Sequence, residues 1–203
     1  VRFEVFKAAV EKDICGRAKD VLTEIQFILE REDVANVLTD MQNAGKLPLR
    51  VTHNDTKLNN VLIDDKTHQG ICVIDLDTVM PGLAINDFGD SIRFGASTGA
   101  EDEKDLSLIQ CDMHLFEVYT KGFIEGCDGK LTDEEIKALP LGAKVMTFEC
   151  GMRFLTDYLQ GDTYFKIKYP EHNLDRCRTQ LKLVADMEKK WDTMNEIVSK
   201  YNK

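Results

Sequence analysis

The run His53-Asn54-Asp55-Thr56-Lys57-Leu58-Asn59-Asn60 has the pattern H-x-D-x-K-x-x-N and leads straight into the apolar triplet Val61-Leu62-Ile63. A polar stretch, Asp64 to Gly70, separates that triplet from a second β-branched run, Ile71-Cys72-Val73-Ile74, which ends on Asp75. Two short β-rich runs around a polar connection predict a hairpin. The motif then lies on the loop entering the first strand, and Asp75 emerges at the end of the second. Pro81-Gly82 marks a turn shortly afterwards.

On both sides of this segment the pattern becomes helical. Ala18, Val21, Leu22, Ile25 and Leu29 fall at helical spacing, as do Val34, Val37, Leu38 and Met41, and Gly45 and Pro48 close that region. Downstream, Thr132 and Glu135 spell a capping box that opens a helix. Pro140 starts another, with Gly161 as its stop. One last helix opens near Asn173. Its stripe of Val184, Met187, Trp191, Met194, Val198 and Tyr201 steps by threes and fours, the spacing of a packed face. The expected fold class is α+β, mainly α: one domain over residues 1–203, a helical body carrying a small hairpin.

The bulk composition limits the possible partners. With 26 basic and 36 acidic residues the formal charge is −10, which argues against nucleic acid or an anionic membrane surface. No apolar stretch approaches a membrane-spanning length, and Val1-Arg2-Phe3-Glu4 has no signal-peptide shape. The cysteines at 15, 72, 111, 127, 150 and 177 form no C-x-x-C pair. Their dispersal predicts reduced, mostly buried thiols and a cytoplasmic setting.

The motif suits phosphoryl transfer, which asks little of a protein: an acceptor hydroxyl held in line, a place for its proton, and cations over the phosphates. Asp55 is placed to receive the proton. Asn60 offers magnesium a neutral oxygen and Asp75 an anionic one, both suited to a hard cation. Lys57 can reach the transferring phosphate as a point charge. His53 is expected to brace the loop rather than act as a base. Asp87-Phe88-Gly89 spells the magnesium motif of protein kinases but comes too late after the hairpin, so Asp87 is expected to be a buried anchor or a helix cap. Asp77 either touches the metal or hydrogen-bonds amides beside Asp75. No glycine-rich phosphate loop of the G-x-x-x-x-G-K or G-x-G-x-x-G type is present.

These residues resemble the aminoglycoside phosphotransferase superfamily, small-molecule kinases with a protein-kinase-like fold. Within it the likeness is to the bacterial N-acetylhexosamine 1-kinases. The first motif is common to many kinases. More specific are Val73-Ile74-Asp75-Leu76-Asp77-Thr78-Val79-Met80-Pro81-Gly82, the run Asp87 to Phe94, and Arg153-Phe154-Leu155-Thr156-Asp157-Tyr158-Leu159 with Gly161-Asp162-Thr163-Tyr164-Phe165 behind it. The resemblance implies transfer of the ATP γ-phosphate, with Mg2+, to the anomeric hydroxyl of GlcNAc or GalNAc. It implies a sugar seated over Asp55 and Asp75 and contacted by Arg153 and Tyr164. Taken alone, Arg153 reads as an intrahelical ion pair and Tyr164 as ordinary packing. The resemblance also implies that the chain is the C-terminal catalytic lobe only. The N-terminal nucleotide lobe is expected to be its missing partner, since the residues before His53 read as helix, and the lobe alone is expected to be inactive. The alternatives are a kinase for an amino alcohol or aminoglycoside, which would call for an acidic pocket, and a non-catalytic kinase-like binding module.

Overall fold

The computed structural model describes residues 1–202. It is mainly helical, with four short strands. Helices α1 (Arg2–Lys12), α2 (Leu22–Leu29) and α3 (Glu32–Asn43) come first. Strand β1 (Arg50–Thr52) leads into the motif, and β2 (Val61–Ile63) and β3 (Gly70–Val73) follow it. Strand β4 (Met80–Gly82) precedes α4 (Ala84–Gly95), α5 (Met113–Gly126) and the short α6 (Asp133–Lys137). The long α7 (Leu139–Leu159), then α8 (His172–Lys189) and α9 (Trp191–Tyr201), complete the body.

Helices α4 and α7 form the centre of the body. Their crossing is close because glycines face each other. A Cβ on Gly89 would fall inside the backbone carbonyl of Gly142, and a Cβ on Gly142 would fall inside that of Ile85. Phe88, fully buried, then packs its ring 5.9 Å from Phe116 and 5.3 Å from Phe123, fixing α5 against α4. The capping box forms: the Thr132 hydroxyl accepts from the Glu135 amide, and Glu135 accepts from the Thr132 amide. Glu135 also takes a bidentate pair from Arg50 at 2.6 Å, tying β1 to α6.

The predicted hairpin is present as antiparallel β2–β3, with Val61 opposite Val73. A second two-stranded ladder, β1–β4, has no counterpart in the sequence reading. Pro81-Gly82, expected to turn, lies instead in β4, with Pro81 opposite Val51. Proline is tolerated there because the strand has only one neighbour and needs few donors. The last helix is two helices, α8 and α9, parted at Lys190 without glycine or proline. At the junction the Lys190 ammonium donates to the Cys111 carbonyl and to Asp186. The expected stripe still packs, with Val184, Met187, Met194 and Val198 all buried across it.

All six cysteines are free, but they are not mostly buried. Cys111 and Cys177 are buried, Cys127 and Cys150 half-buried, and Cys15 and Cys72 exposed. Cys72 lies on the hairpin, whose strands lack a covering layer. Among the described residues, no helix is long and apolar enough to cross a membrane.

Candidate active site

The motif loop runs across the N-terminal half of α4, which holds it through two carboxylates. Asp87 accepts from the His53 amide at 2.7 Å and the Asn54 amide at 2.8 Å. Asp90, buried, accepts from the Thr56 amide at 3.0 Å. The remaining amide, that of Asp55, donates to His53 Nδ1 at 3.3 Å. Four consecutive N–H groups are thus satisfied by side chains, which a tight loop without ladder partners requires. Burial raises the Asp87 carboxyl above the usual range, against the pull of its two amide bonds. Asp87 sits within the first turn of α4, while Leu83 occupies the cap position without a side-chain bond. Its contacts are therefore those of a loop anchor, not of a helix cap.

The His53 ring spans the loop. Its Nδ1 accepts the Asp55 amide, so its Nε2 carries the proton and donates to the Ile74 carbonyl at 2.9 Å. Thr78 donates to the His53 carbonyl at 2.6 Å and accepts from Asn54 at its own carbonyl. The turn after β3 is stitched to the motif in this way. Asn54 and Asp75 both adopt left-handed backbone, with φ of 65° and 63°.

Asp55 has one oxygen committed and one open. Its Oδ2 accepts from Lys57 Nζ at 2.8 Å and from Asn60 Nδ2 at 2.9 Å, while Oδ1 accepts no bond within the described residues. Burial alone would raise this carboxyl, but the bonds from Lys57 and Asn60 outweigh it, and it lies below the ordinary aspartate range. Lys57 is held above its usual value by the same pair. Its ammonium lies on Asp55 rather than reaching free into the site.

Asn60 is buried, and its carbonyl accepts from the Ile74 amide at 2.9 Å. The residue before Asp75 is thereby bonded to Asn60 itself. The Asn60 amide oxygen and the exposed Asp75 carboxylate accept no hydrogen bonds within the described residues, leaving two hard oxygen donors on neighbouring backbone. Two protein donors, completed by phosphate oxygens and water, are a set that magnesium accepts. The Asp77 carboxylate is also exposed and makes no hydrogen bond within the described residues.

A cavity of about 410 Å³ opens beside Asp55. Lys57, Asp90, Arg93, Glu101, Arg153 and Phe165 lie in its wall. Arg153 faces it from α7, its guanidinium 5.3 Å from the Phe165 ring centre and 5.6 Å from that of Tyr164. Tyr164 and Asp75 do not line this cavity. Tyr164 is 73% exposed and lies on an adjoining hollow that shares Arg153 and Phe165 with the first. Asp55 and Arg153 are thus brought together, and Asp75 stands apart on the hairpin side.

Charges in the wall nearly balance. Arg93 takes Asp90 and Glu101 as partners at 2.9 and 2.8 Å, and Glu149 pairs with Arg2. Arg153 has no carboxylate partner within the described residues. The Asp90–Arg93 pair was the part of this site most open to sequence reading, being an i,i+3 charge pair on a helix. Glu101 and Glu149 carry no such signal.

A model of the phosphotransferase enzyme family matches residues 2–109, just over half the chain and including the whole motif loop, the hairpin and α4. The chain belongs to that family.

Proposed function

We propose that this member of the phosphotransferase enzyme family transfers the γ-phosphoryl group of ATP to the anomeric hydroxyl of an N-acetylhexosamine, GlcNAc or GalNAc, giving the sugar 1-phosphate. The observation that carries this reading is Asp55: an anionic carboxylate with Oδ2 held by Lys57 and Asn60 and Oδ1 open, beside a cavity whose wall includes Arg153 and Phe165. In the proposed reaction Oδ1 accepts the proton of the acceptor hydroxyl. The hydroxyl oxygen bonds to the γ-phosphorus as the bond to the ADP oxygen breaks. Lys57 and Asn60 keep Asp55 ionised and aimed. Arg153 offers planar donors to sugar or acetyl oxygens, and Phe165 supports the ring. Asn60 and Asp75 would hold Mg2+, which when bound neutralises the phosphates. His53, Asp77 and Asp87 are assigned to support, His53 and Asp87 through the bonds described above.

The charge balance favours a neutral acceptor over an amino alcohol or aminoglycoside. The additional carboxylates near Asp55 are already paired with arginines, and Arg153 faces the cavity where a cationic acceptor would sit.

We further propose that these 203 residues form the catalytic and acceptor-binding lobe, with the nucleotide-covering strands lying outside them. Two features support this. Every element ahead of β1 is helical, and the hairpin exposes Leu62, Ile63, Ile71 and Val73. Residues 1–203 alone are then expected to turn over no ATP.

The test is phosphorylation of a sugar panel by the full-length protein beside Asp55→Asn. Sugar 1-phosphate from the wild type and a rate lower by about 10³-fold in the variant are expected. A wild type that makes none removes the sugar-kinase reading, and a variant that keeps its rate removes Asp55 from its role.

A further inference from the structure

Asp157 lies on the inner face of α7, 3% exposed, one helical turn beyond Arg153. A carboxylate in such a place is costly unless its lone pairs are fully used. Here they are. Oδ1 accepts from the Thr163 amide at 2.9 Å and the Tyr164 amide at 2.8 Å. Oδ2 accepts from the Phe165 amide at 3.0 Å and from Asn173 Nδ2 at 2.9 Å. Three consecutive backbone donors converge on one side chain, so the chain leaving α7 folds back over the helix instead of running on to α8.

The far side of this loop is closed as well. Asn173, fully buried, donates also to Asp162, and Asp162 takes Arg17 at 2.6 Å from the connection between α1 and α2. Gly161, with φ of 93°, makes the reversal possible. Charge-assisted bonds of this number fix both position and orientation.

The fold-back places Phe165 in the wall of the cavity that Asp55 lines. Its ring packs tilted against Phe154, centres 4.7 Å apart, and the Arg153 guanidinium lies 5.3 Å from its centre. Among the described residues the one hydrogen bond of the Arg153 guanidinium is to the Tyr164 hydroxyl at 3.5 Å, and the rings it lies against are those of Tyr164 and Phe165, all delivered by the same loop. A loop free to move would release both the ring and the cation.

We infer that Asp157 is a positioning residue for the acceptor. It clamps residues 163–165 so that Phe165 and Arg153 present one fixed wall to the molecule being phosphorylated, while the motif loop and the nucleotide side are held independently by Asp87 and Asp90. The inference rests on the proposed acceptor cavity.

Its test uses the full-length protein, with GlcNAc as acceptor. Asp157→Asn keeps the size of the side chain but turns an amide toward backbone donors. Its KM for GlcNAc is expected to rise about tenfold or more, with the KM for ATP unchanged and kcat within about twofold. The amides of residues 163–165 should exchange faster in this variant. Phe165→Leu should give the same KM split without faster exchange, and it decides the matter alone if the first variant does not fold. Unmoved acceptor KM in either variant overturns the inference. So does an equal rise in both KM values for Asp157→Asn, which would mark a general structural role. Should the wild type bind GlcNAc in calorimetry yet transfer no phosphate, the transferase reading falls, and the dissociation constants of the same variants then judge Asp157. A wild type that neither binds nor phosphorylates GlcNAc removes the acceptor cavity and this inference with it.

Discussion

Helix α7 and the β2–β3 hairpin are opposites. Most of α7 is buried, from Leu139 to Leu159, and it touches α4, α8 and α1. The hairpin leaves Leu62, Ile63, Ile71 and Val73 about half exposed. Yet the hairpin leads into Asp75 and abuts Asn60, whereas α7 walls the acceptor side of the cavity with Met146, Glu149, Cys150, Arg153 and Phe154. Stability is concentrated in one region and the proposed phosphate chemistry in the other, joined by the motif loop and its two anchors on α4. A loop fastened by side-chain carboxylates can therefore lose its chemistry without loss of fold, and the body can lose stability through residues far from the chemistry.

The largest effect expected from breaking this division is on rate. Asp55→Asn should lower phosphoryl transfer by about 10³-fold, equivalent to about 4 kcal/mol of barrier, while the melting temperature moves by no more than a degree or two. A variant that melts much earlier would show that the motif loop belongs to the core. In the body, Gly142→Ala sets a methyl group against the Ile85 carbonyl at the α4–α7 crossing. It should cost about 2 kcal/mol by denaturant melts, with acceptor KM unchanged in the folded protein. On the hairpin, Ile71→Thr should change stability by less than about 0.5 kcal/mol. A larger loss would mean that the exposed strands are covered in solution.

Acidity offers a finer comparison. Asp55 is held below the ordinary aspartate value, so its charge persists as pH falls until that lowered value is crossed. The acid limb of kcat/KM should then lie below about pH 4. A limb between pH 6 and 7 would point to a different proton acceptor. In the body, burial would raise Glu135, but the bonds from Arg50 and Thr132 outweigh it and hold it low. Stability from Glu135 is therefore complete above its unfolded value, about pH 4.3, and lost as pH falls through the lowered folded one. Arg50→Met should lessen that acid-side loss and cost up to about 3 kcal/mol at pH 7, read from urea melts across pH.

Legibility in the sequence followed locality. The motif loop, the hairpin and the capping box are each written within a few consecutive residues, and the helices by their spacing. The β1–β4 ladder was not legible, because three-residue strands carry almost no periodic signal and Pro81 reads as a breaker. Nor was the break at Lys190, which no glycine or proline marks and whose contact with Cys111 joins residues distant in the chain. At the site, Asp55 and Asn60 could be read because their partners are neighbours. The loop-holding role of Asp90 and the convergence of three amides on Asp157 could not, since donor and acceptor meet only after the helices pack. The resemblance implied Tyr164 as a sugar contact together with Arg153; the two side chains are neighbours, but Tyr164 lines the adjoining hollow. It is Phe165, however, that shares the cavity with Asp55.

Glu135 serves two elements with one carboxylate: it closes the capping box of α6 and receives Arg50 from β1. A helix of five residues is too short to persist by itself. Its formation leans on α7 and α9, against which it packs, and on a strand some eighty positions earlier in the chain, whose Arg50 it holds. During folding, residues 130–137 would act as a clasp fastened late, reporting through their amide exchange whether the approach to the motif loop has already docked.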